Sequence, residues 1–168
     1  MTSDTPIRIE KLHRHHDRPG FDCGESRLNE YLQKYALQNT EKGVGATYVA
    51  VLEGQNRILA YYSISSGQVA REVLPEQKTI PRYPVPVVKI GRLASDLRER
   101  GAGMGSLILV DALKRCLSIA DVLGVYAVEF DAINDTARTF YEKHGFRPLL
   151  DDSRHLYLPI KTIRKLFL

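Results

Sequence analysis

Tryptophan is absent from this 168-residue chain, cysteine and methionine occur twice each, and no uncharged apolar run reaches the roughly 20 residues that span a bilayer. Two cysteines, Cys23 in an expected turn and Cys116 on the apolar face of an expected helix, are too few to staple a fold. Neither sits in a nucleophile signature, so a disulfide scaffold and a catalytic thiol are both disfavoured, and a reducing compartment is the simpler setting. The segment Met1–Arg8 is polar and lacks an apolar stretch of signal-peptide length, which leaves the cytoplasm as the expected location. Internal repeats and low-complexity tracts are missing as well. So is metal-ligand spacing: the bend His13-Arg14-His15-His16-Asp17-Arg18 has no Cys or acidic residue recurring at ligand intervals, and adjacent histidines do not easily face one ion. No metal is expected, and the bend reads as a solvated loop or a surface that meets phosphates. Charge of neither sign dominates: a net charge of +4 permits an anionic partner without demanding one.

What is present suits one domain over residues 1–168, long enough for a sizeable core and with 43% apolar residues. Ile7, Ile9 and Leu12 suggest a short first strand. Asp22 and Glu25 resemble a capping pair, after which Leu28, Tyr31, Leu32 and Tyr35 follow helical spacing to about Gln38, with both tyrosines on the apolar face. Thr47–Leu52 and Ile58–Ser66 form an expected antiparallel hairpin around Glu53-Gly54-Gln55-Asn56-Arg57. Four prolines between Arg71 and Pro86 interrupt sheet and helix alike and mark an excursion beside the active site, not a domain boundary. Tyr126, Val128 and Phe130 alternate with Ala127, Glu129 and Asp131 as in a half-buried strand. Asn134 or Asp135 caps a further helix that Gly145 ends; Leu156–Ile160 is a last strand and Lys161–Leu168 an amphipathic tail.

The organising stretch is Arg100-Gly101-Ala102-Gly103-Met104-Gly105. Before it, Val87, Val88, Ile90, Leu93 and Ala94 read as a buried strand; after it, Leu109, Ala112, Leu113, Cys116, Leu117 and Ala120 recur at helical spacing. The glycines therefore open a helix N-terminus, where backbone N–H groups lack intrahelical partners and carry the positive end of the dipole. Such a junction is an anion cradle, or else an ordinary strand-to-helix turn. A Walker loop is excluded because no Gly-Lys-Ser/Thr follows, and a dinucleotide loop because the third glycine comes one residue early.

Arg100-x-x-Gly103-x-Gly105 resembles the pyrophosphate-binding signature of the GNAT N-acetyltransferase superfamily. Asn134-x-x-Ala137-x-x-x-Tyr141-x-x-x-Gly145-Phe146 resembles that family's late strand-to-helix element, whose tyrosine lies beside the coenzyme sulfur. The resemblance implies an α/β fold, with a mixed central sheet whose fourth and fifth strands splay for the pantetheine arm, and acetyl-CoA as cosubstrate. It further implies that Arg100, Gly101, Ala102, Gly103, Met104, Gly105 and Ser106 hold the pyrophosphate. Leu93, Ala94 and Ser95 would hold the carbonyl and pantetheine through backbone N–H groups, Asn134 would belong to the coenzyme site, and Tyr141 would be the acid. Tyr141 read from its helix alone could also be a packing residue, although Phe140 is the better core candidate at that turn. A thiol near pKa 8.5 and a phenol near 10 make full proton transfer uphill by about 2 kcal/mol, so a strong hydrogen bond is the expected contribution. Glu129 is a candidate base whose face the strand alternation leaves open. A site poor in bases suits an α-amine, near pKa 7.8, better than a lysine, near 10.4.

Phe21-Asp22-Cys23-Gly24, Gly45-Ala46-Thr47-Tyr48-Val49, Gly91-Arg92-Leu93-Ala94 and Phe130-Asp131-Ala132 together resemble the GNAT toxins of bacterial toxin–antitoxin pairs. Ser95, where an apolar residue is more usual, and Arg100, where Gln is frequent, depart from that pattern without removing a backbone donor. The resemblance implies acetylation of the α-amine of aminoacyl-tRNA, inhibition by a ribbon-helix-helix antitoxin, and a homodimer. Arg92 and Arg98 would then meet tRNA phosphates, or else remain solvated arginines. Acetylation of a small amine or a protein N-terminus shares every coenzyme residue, and a non-catalytic acetyl-CoA-binding module would share them too.

Overall fold

A computed structural model describes residues 5–167; Met1–Asp4 of the polar N-terminal segment and Leu168 of the tail lie outside the described residues. Seven strands form a mixed sheet in the order β1-β2-β3-β4-β5-β7-β6, where β1 is Ile7–Lys11, β2 Ala46–Leu52, β3 Ala60–Val69, β4 Val85–Ser95, β5 Ala127–Asp131, β6 Arg147–Pro148 and β7 His155–Pro159. The helices are α1 (Ser26–Glu30), α2 (Ala36–Lys42), α3 (Met104–Ala120), α4 (Asp135–Lys143) and α5 (Ile160–Leu166). No helix among the described residues is long and apolar enough to cross a membrane. The chain divides into two compact units, Met1–Ser65 with Arg92–Ala112, and Ser66–Gly91 with Leu113–Leu168.

In the first unit β1 pairs antiparallel with β2, and β2 with β3, so the expected hairpin is present. Its core gathers Leu12, Phe21, Leu32, Ala36, Val49, Tyr61 and Ala94. Burial of each large apolar side chain there contributes about 1.5–3 kcal/mol. The first helix departs from its sequence reading at both ends. Glu25, not Asp22, precedes the first turn, and it caps nothing through its side chain. The Asp22 carboxylate instead accepts from the Gly24 N–H (2.8 Å) and the Asn29 amide (2.9 Å), a turn that Gly24 permits at φ +88°. Between α1 and α2 the chain runs through a π-helical segment, Tyr31–Tyr35. That wider turn rotates the following residues around the axis. Tyr31 therefore stays in the core while Tyr35 is 44% exposed, against the expectation that both would be buried. The helix ends at Gly43, φ +75°, several residues beyond Gln38.

In the second unit β4 pairs parallel with β5, from Val87 opposite Ala127 to Ile90 opposite Phe130, and β5 pairs antiparallel with β7. Residues Val69, Leu74, Val85, Val87, Ala127, Leu149 and Tyr157 form its core. The proline-rich excursion supplies part of that core through two short 3-10 turns, Arg71–Val73 and Gln77–Thr79. It is held by Glu76, whose carboxylate accepts the hydroxyls of Tyr126 and Tyr157 (2.7 Å to the latter). Pro86 belongs to β4 and not to the excursion; it is the second residue of the strand, where a missing N–H is tolerated, and its carbonyl accepts from the Tyr126 N–H at 2.8 Å. Strand β5 is buried on both faces from Ala127 to Phe130, not half-buried, because its one charged residue in that span is paired.

Candidate active site

The loop that opens α3 belongs to the first unit and is anchored at its root by a buried carboxylate. Asp96 is 1% exposed. Its oxygens accept from the backbone N–H of Asp22 (3.1 Å) and Arg98 (2.9 Å), and from Nε (2.9 Å) and Nη2 (3.0 Å) of Arg98. Hydrogen bonds from Arg98 outweigh burial and hold the Asp96 carboxyl far below the usual carboxylate range. Arg57 reaches Glu99 at 2.6 Å across the same turn. Beyond this root the backbone takes φ +83° at Gly101 and +74° at Gly103, values that favour glycine. A Cβ built on either would meet nothing within 4 Å, so the conformation, not crowding, requires glycine here. The Leu107 N–H donates to the Gly103 carbonyl (3.1 Å), which starts the helical ladder. Helix geometry then leaves the amides of Met104, Gly105 and Ser106 without intrahelical acceptors. Arg100 is exposed beside them. Upstream, the rungs from β4 to β5 stop at Ile90, while β4 continues through Leu93, Ala94 and Ser95.

Neither Arg92 nor Arg98 is a simple solvated cation. The Arg92 guanidinium lies 3.5 Å from the centroid of the Tyr31 ring. Arg98 grips Asp96 with two nitrogens and also donates to the Gly20 carbonyl (3.1 Å). Sequence reasoning missed Asp96 altogether, although an Asp placed just before Leu97-Arg98-Glu99 is a turn-starting signal.

In the second unit Asn134 caps α4, its Oδ1 accepting from the Ala137 N–H at 2.8 Å, and Gly145 follows the helix at φ +96°. Tyr141 is 2% exposed and its ring stacks on Phe130, with centroids 3.7 Å apart and planes 11° from parallel. Phe146 and Phe140 meet it edge-on at 5.0 and 5.5 Å. Phe140 is only half-buried, which reverses the expectation that it would be the core residue of this turn. The Tyr141 Oη is buried and has no hydrogen-bond partner among the described residues. Burial pushes its pKa well above the ordinary phenol value, so it remains a protonated donor with no acceptor among the described residues. A buried orphan donor is costly, about 1–3 kcal/mol, and fits a group that arrives with a ligand. Burial likewise pushes the Cys116 thiol to about 12, consistent with a thiol that takes no part in chemistry.

Glu129, the candidate base, is 6% exposed and engaged. Its carboxylate receives Nε2 of His155, whose Nδ1 is 2.9 Å from Asp151, and Lys89 pairs with nearby Asp131 at 3.2 Å. Burial alone would lower the His155 pKa, but Glu129 and Asp151 outweigh it and raise it. Glu129 is thus occupied by His155, and the pair reads as a staple of β5 to β7.

The histidine bend also departs from its sequence reading. Glu10 of β1 joins His15 and His16, with one candidate ligand atom from each within 4.8 Å of the others. Adjacent histidines thus do converge, and an acidic partner arrives from a neighbouring strand. Yet Nδ1 of buried His16 accepts from the His13 N–H at 2.9 Å, which leaves the ring proton on Nε2. That nitrogen faces Glu10 at 3.5 Å with a hydrogen where a metal needs a lone pair.

No family model matches the chain. It is 38% identical over 152 residues to a "tRNA-acetylating toxin" of Mycobacterium tuberculosis (strain ATCC 25618 / H37Rv), covering 89% of this chain and 90% of the relative. A "Probable toxin TacT" of Sinorhizobium fredii (strain NBRC 101917 / NGR234) is 31% identical over 161 residues, covering 90% and 89%. Among solved structures, a Tyr-to-Phe mutant of KacT superposes with a TM-score of 0.91 at 31% identity, over 96% of this chain and 99% of its own. AtaT in complex with acetyl-methionyl-tRNAfMet gives 0.91 at 30% identity, over 97% and 100%. Further similar structures include AtaTR bound with AcCoA and an AtaT mutant bound to the C-terminus of the antitoxin AtaR. With that likeness over nine-tenths of its length, the sheet order of the fold and the glycine-opened α3, the chain belongs to the GNAT acetyltransferase toxins.

Proposed function

We propose that this protein moves an acetyl group from acetyl-CoA to the α-amine of an aminoacyl-tRNA, and that residues 1–168 act as one acetyltransferase domain in the cytoplasm, where charged tRNA is found. The observation that carries the reading is its likeness to a tRNA-acetylating toxin and to a neighbour that holds acetyl-methionyl-tRNA. Acetyl-CoA supplies an activated thioester. In this reading the amides of Gly103, Met104, Gly105 and Ser106, with the exposed Arg100, hold its pyrophosphate, and the backbone of Leu93, Ala94 and Ser95 orients the pantetheine and carbonyl. Asn134 acts on the coenzyme side only through the helix end it caps.

Tyr141 serves the leaving sulfur. Its raised pKa argues against outright proton transfer, already uphill by about 2 kcal/mol for an unperturbed phenol. The phenol instead donates a hydrogen bond that strengthens as charge grows on sulfur. The amine needs little help: at pKa near 7.8 an appreciable fraction is neutral at cytoplasmic pH, which agrees with a Glu129 already committed to His155. A neighbour bound to the C-terminus of the antitoxin AtaR supports an antitoxin as partner here too; that it silences the protein, its ribbon-helix-helix class and a homodimeric toxin complete the proposal.

Labelled acetyl-CoA offered with purified protein and individually charged tRNAs tests this. Label on the α-amine of at least one aminoacyl-tRNA is the expected result. Charged tRNAs left unlabelled across all amino acids, by protein that still binds acetyl-CoA, overturn it.

A further inference from the structure

A pocket of about 620 Å³ lies in the first unit, away from the glycine loop in sequence, where the end of β1 and the histidine bend meet α2. Leu12 and Leu37 give it apolar lining, and Lys11, His13, Arg14, His15 and Thr40 line it as well, the Thr40 hydroxyl donating to the Ala36 carbonyl at 3.0 Å. The rings of His13 and His15 are nearly parallel, 16° apart with centroids at 5.6 Å, and His15 leans on His16 at 4.2 Å. Two carboxylates lie close to it: Glu10, within 4.8 Å of the His15 and His16 ring nitrogens, and Glu41 of the lining, which Arg14 reaches at 3.4 Å, with the Arg14 and Glu41 side chains 81% and 52% exposed. An exposed pair of that kind is weak and screened by solvent, so the guanidinium can exchange it for a phosphate.

Apolar lining, flat imidazole faces and two exposed cations are the features that bind an unpaired nucleotide: the base stacks while its flanking phosphates meet Lys and Arg. A duplex backbone needs charge but no stacking surface, and an acidic peptide needs neither imidazole stack nor hydrophobic lining. We propose that this pocket holds an unpaired, phosphate-flanked nucleotide of the RNA substrate and so helps select tRNA at a distance from the acetyl group. The proposal rests on the reading that the acceptor is aminoacyl-tRNA, and it adds residues that the coenzyme motifs do not contain.

The test measures tRNA affinity and its salt dependence on the full chain, with acetyl-CoA affinity as the control. Lys11→Ala with Arg14→Ala should weaken tRNA binding about tenfold and lower the slope of log K against log salt by about 0.7–0.9 per cation removed. Acetyl-CoA affinity should not change. His15→Ala should weaken tRNA several-fold while His15→Phe, which keeps a stacking face, restores it. Glu41→Gln should tighten binding, a gain that a misfolded variant cannot produce. Wild-type tRNA affinity and salt slope in the Lys11/Arg14 variant would overturn the proposal even if tRNA acetylation stands. Intact tRNA binding with lost inhibition by the antitoxin would overturn it as well and assign the pocket to a protein. Failure of the wild-type protein to bind or acetylate any tRNA strikes the functional reading itself.

Discussion

The glycine loop of the first unit and the Tyr141 helix of the second answer opposite packing problems. The loop is exposed, made of backbone, and has nothing within 4 Å of where Gly101 or Gly103 would carry a Cβ. It keeps its shape because its root is buried: Asp96 receives two backbone amides and the Arg98 fork. Tyr141 is the reverse, a side chain enclosed by Phe130, Phe140 and Phe146 with its one polar atom unsatisfied. An open backbone cradle can tolerate changes in side chains near it but not in its dihedrals. An enclosed ring can tolerate little movement, while its unpartnered hydroxyl contributes nothing to the packing that holds it.

The largest expected effect breaks the second half of that contrast. Tyr141→Phe should lower kcat by about 10²–10³, the size expected for one donor to developing charge, with KM for acetyl-CoA little changed. The same variant should be as stable as the wild type or more stable by about 1 kcal/mol in urea unfolding, because it removes a buried donor that has no partner. A marked loss of stability would show that the hydroxyl serves the fold.

Next is the root of the loop. Asp96→Ala strands the N–H groups of Asp22 and Arg98 and should cost about 2–3 kcal/mol, read as a lower urea midpoint. Because the Asp96 carboxyl is held low, its contribution is complete above the ordinary carboxylate pKa and is lost as pH falls towards the lowered folded value. The variant should therefore lose less stability on acidification than the wild type.

A smaller effect tests the cradle alone. A Cβ at Gly103 would meet nothing within 4 Å, but Gly103→Val forces a β-branched residue to φ +74°, a strain of about 1–2 kcal/mol. If the backbone relaxes, the amides no longer converge, and KM for acetyl-CoA should rise about tenfold with kcat at saturation nearly kept.

The smallest effect compares two histidines. His155 has a raised pKa, so its stabilisation is full below about pH 6.5 and fades as pH rises through the raised folded value. His16 has a lowered pKa from burial, then from His15 and His13, with Glu10 opposing; its contribution is present above about pH 6.5 and fades as pH falls. The two tilts oppose each other. Unfolding midpoints for His155→Gln should rise with pH between about 5.5 and 8 relative to wild type, and those for His16→Gln should fall.

Much of the fold was legible beforehand, and the errors share a cause. The hairpin, the run from β4 through the glycines into α3, and the Asn134 cap each follow from residues a few positions apart. Periodicity misplaces Tyr35 because a π-helical turn shifts helical phase, and it favours Phe140 over Tyr141 for the core because adjacent aromatics on a short helix give the same periodic signal. Glu129 could not be assigned from alternation, since both faces of β5 are covered and its partner His155 is 26 positions away.

By itself the sequence determined where the backbone turns left-handed and where α3 and α4 begin, because a residue's dihedral range and its capping oxygen act within a few positions. Tertiary structure alone decided which charges are spent. It paired Asp96 with Asp22, 74 residues apart, brought Glu10 to His15 and His16, and enclosed the Tyr141 hydroxyl without a partner. Electrostatics and burial depend on distance in space, and only the folded chain fixes that distance.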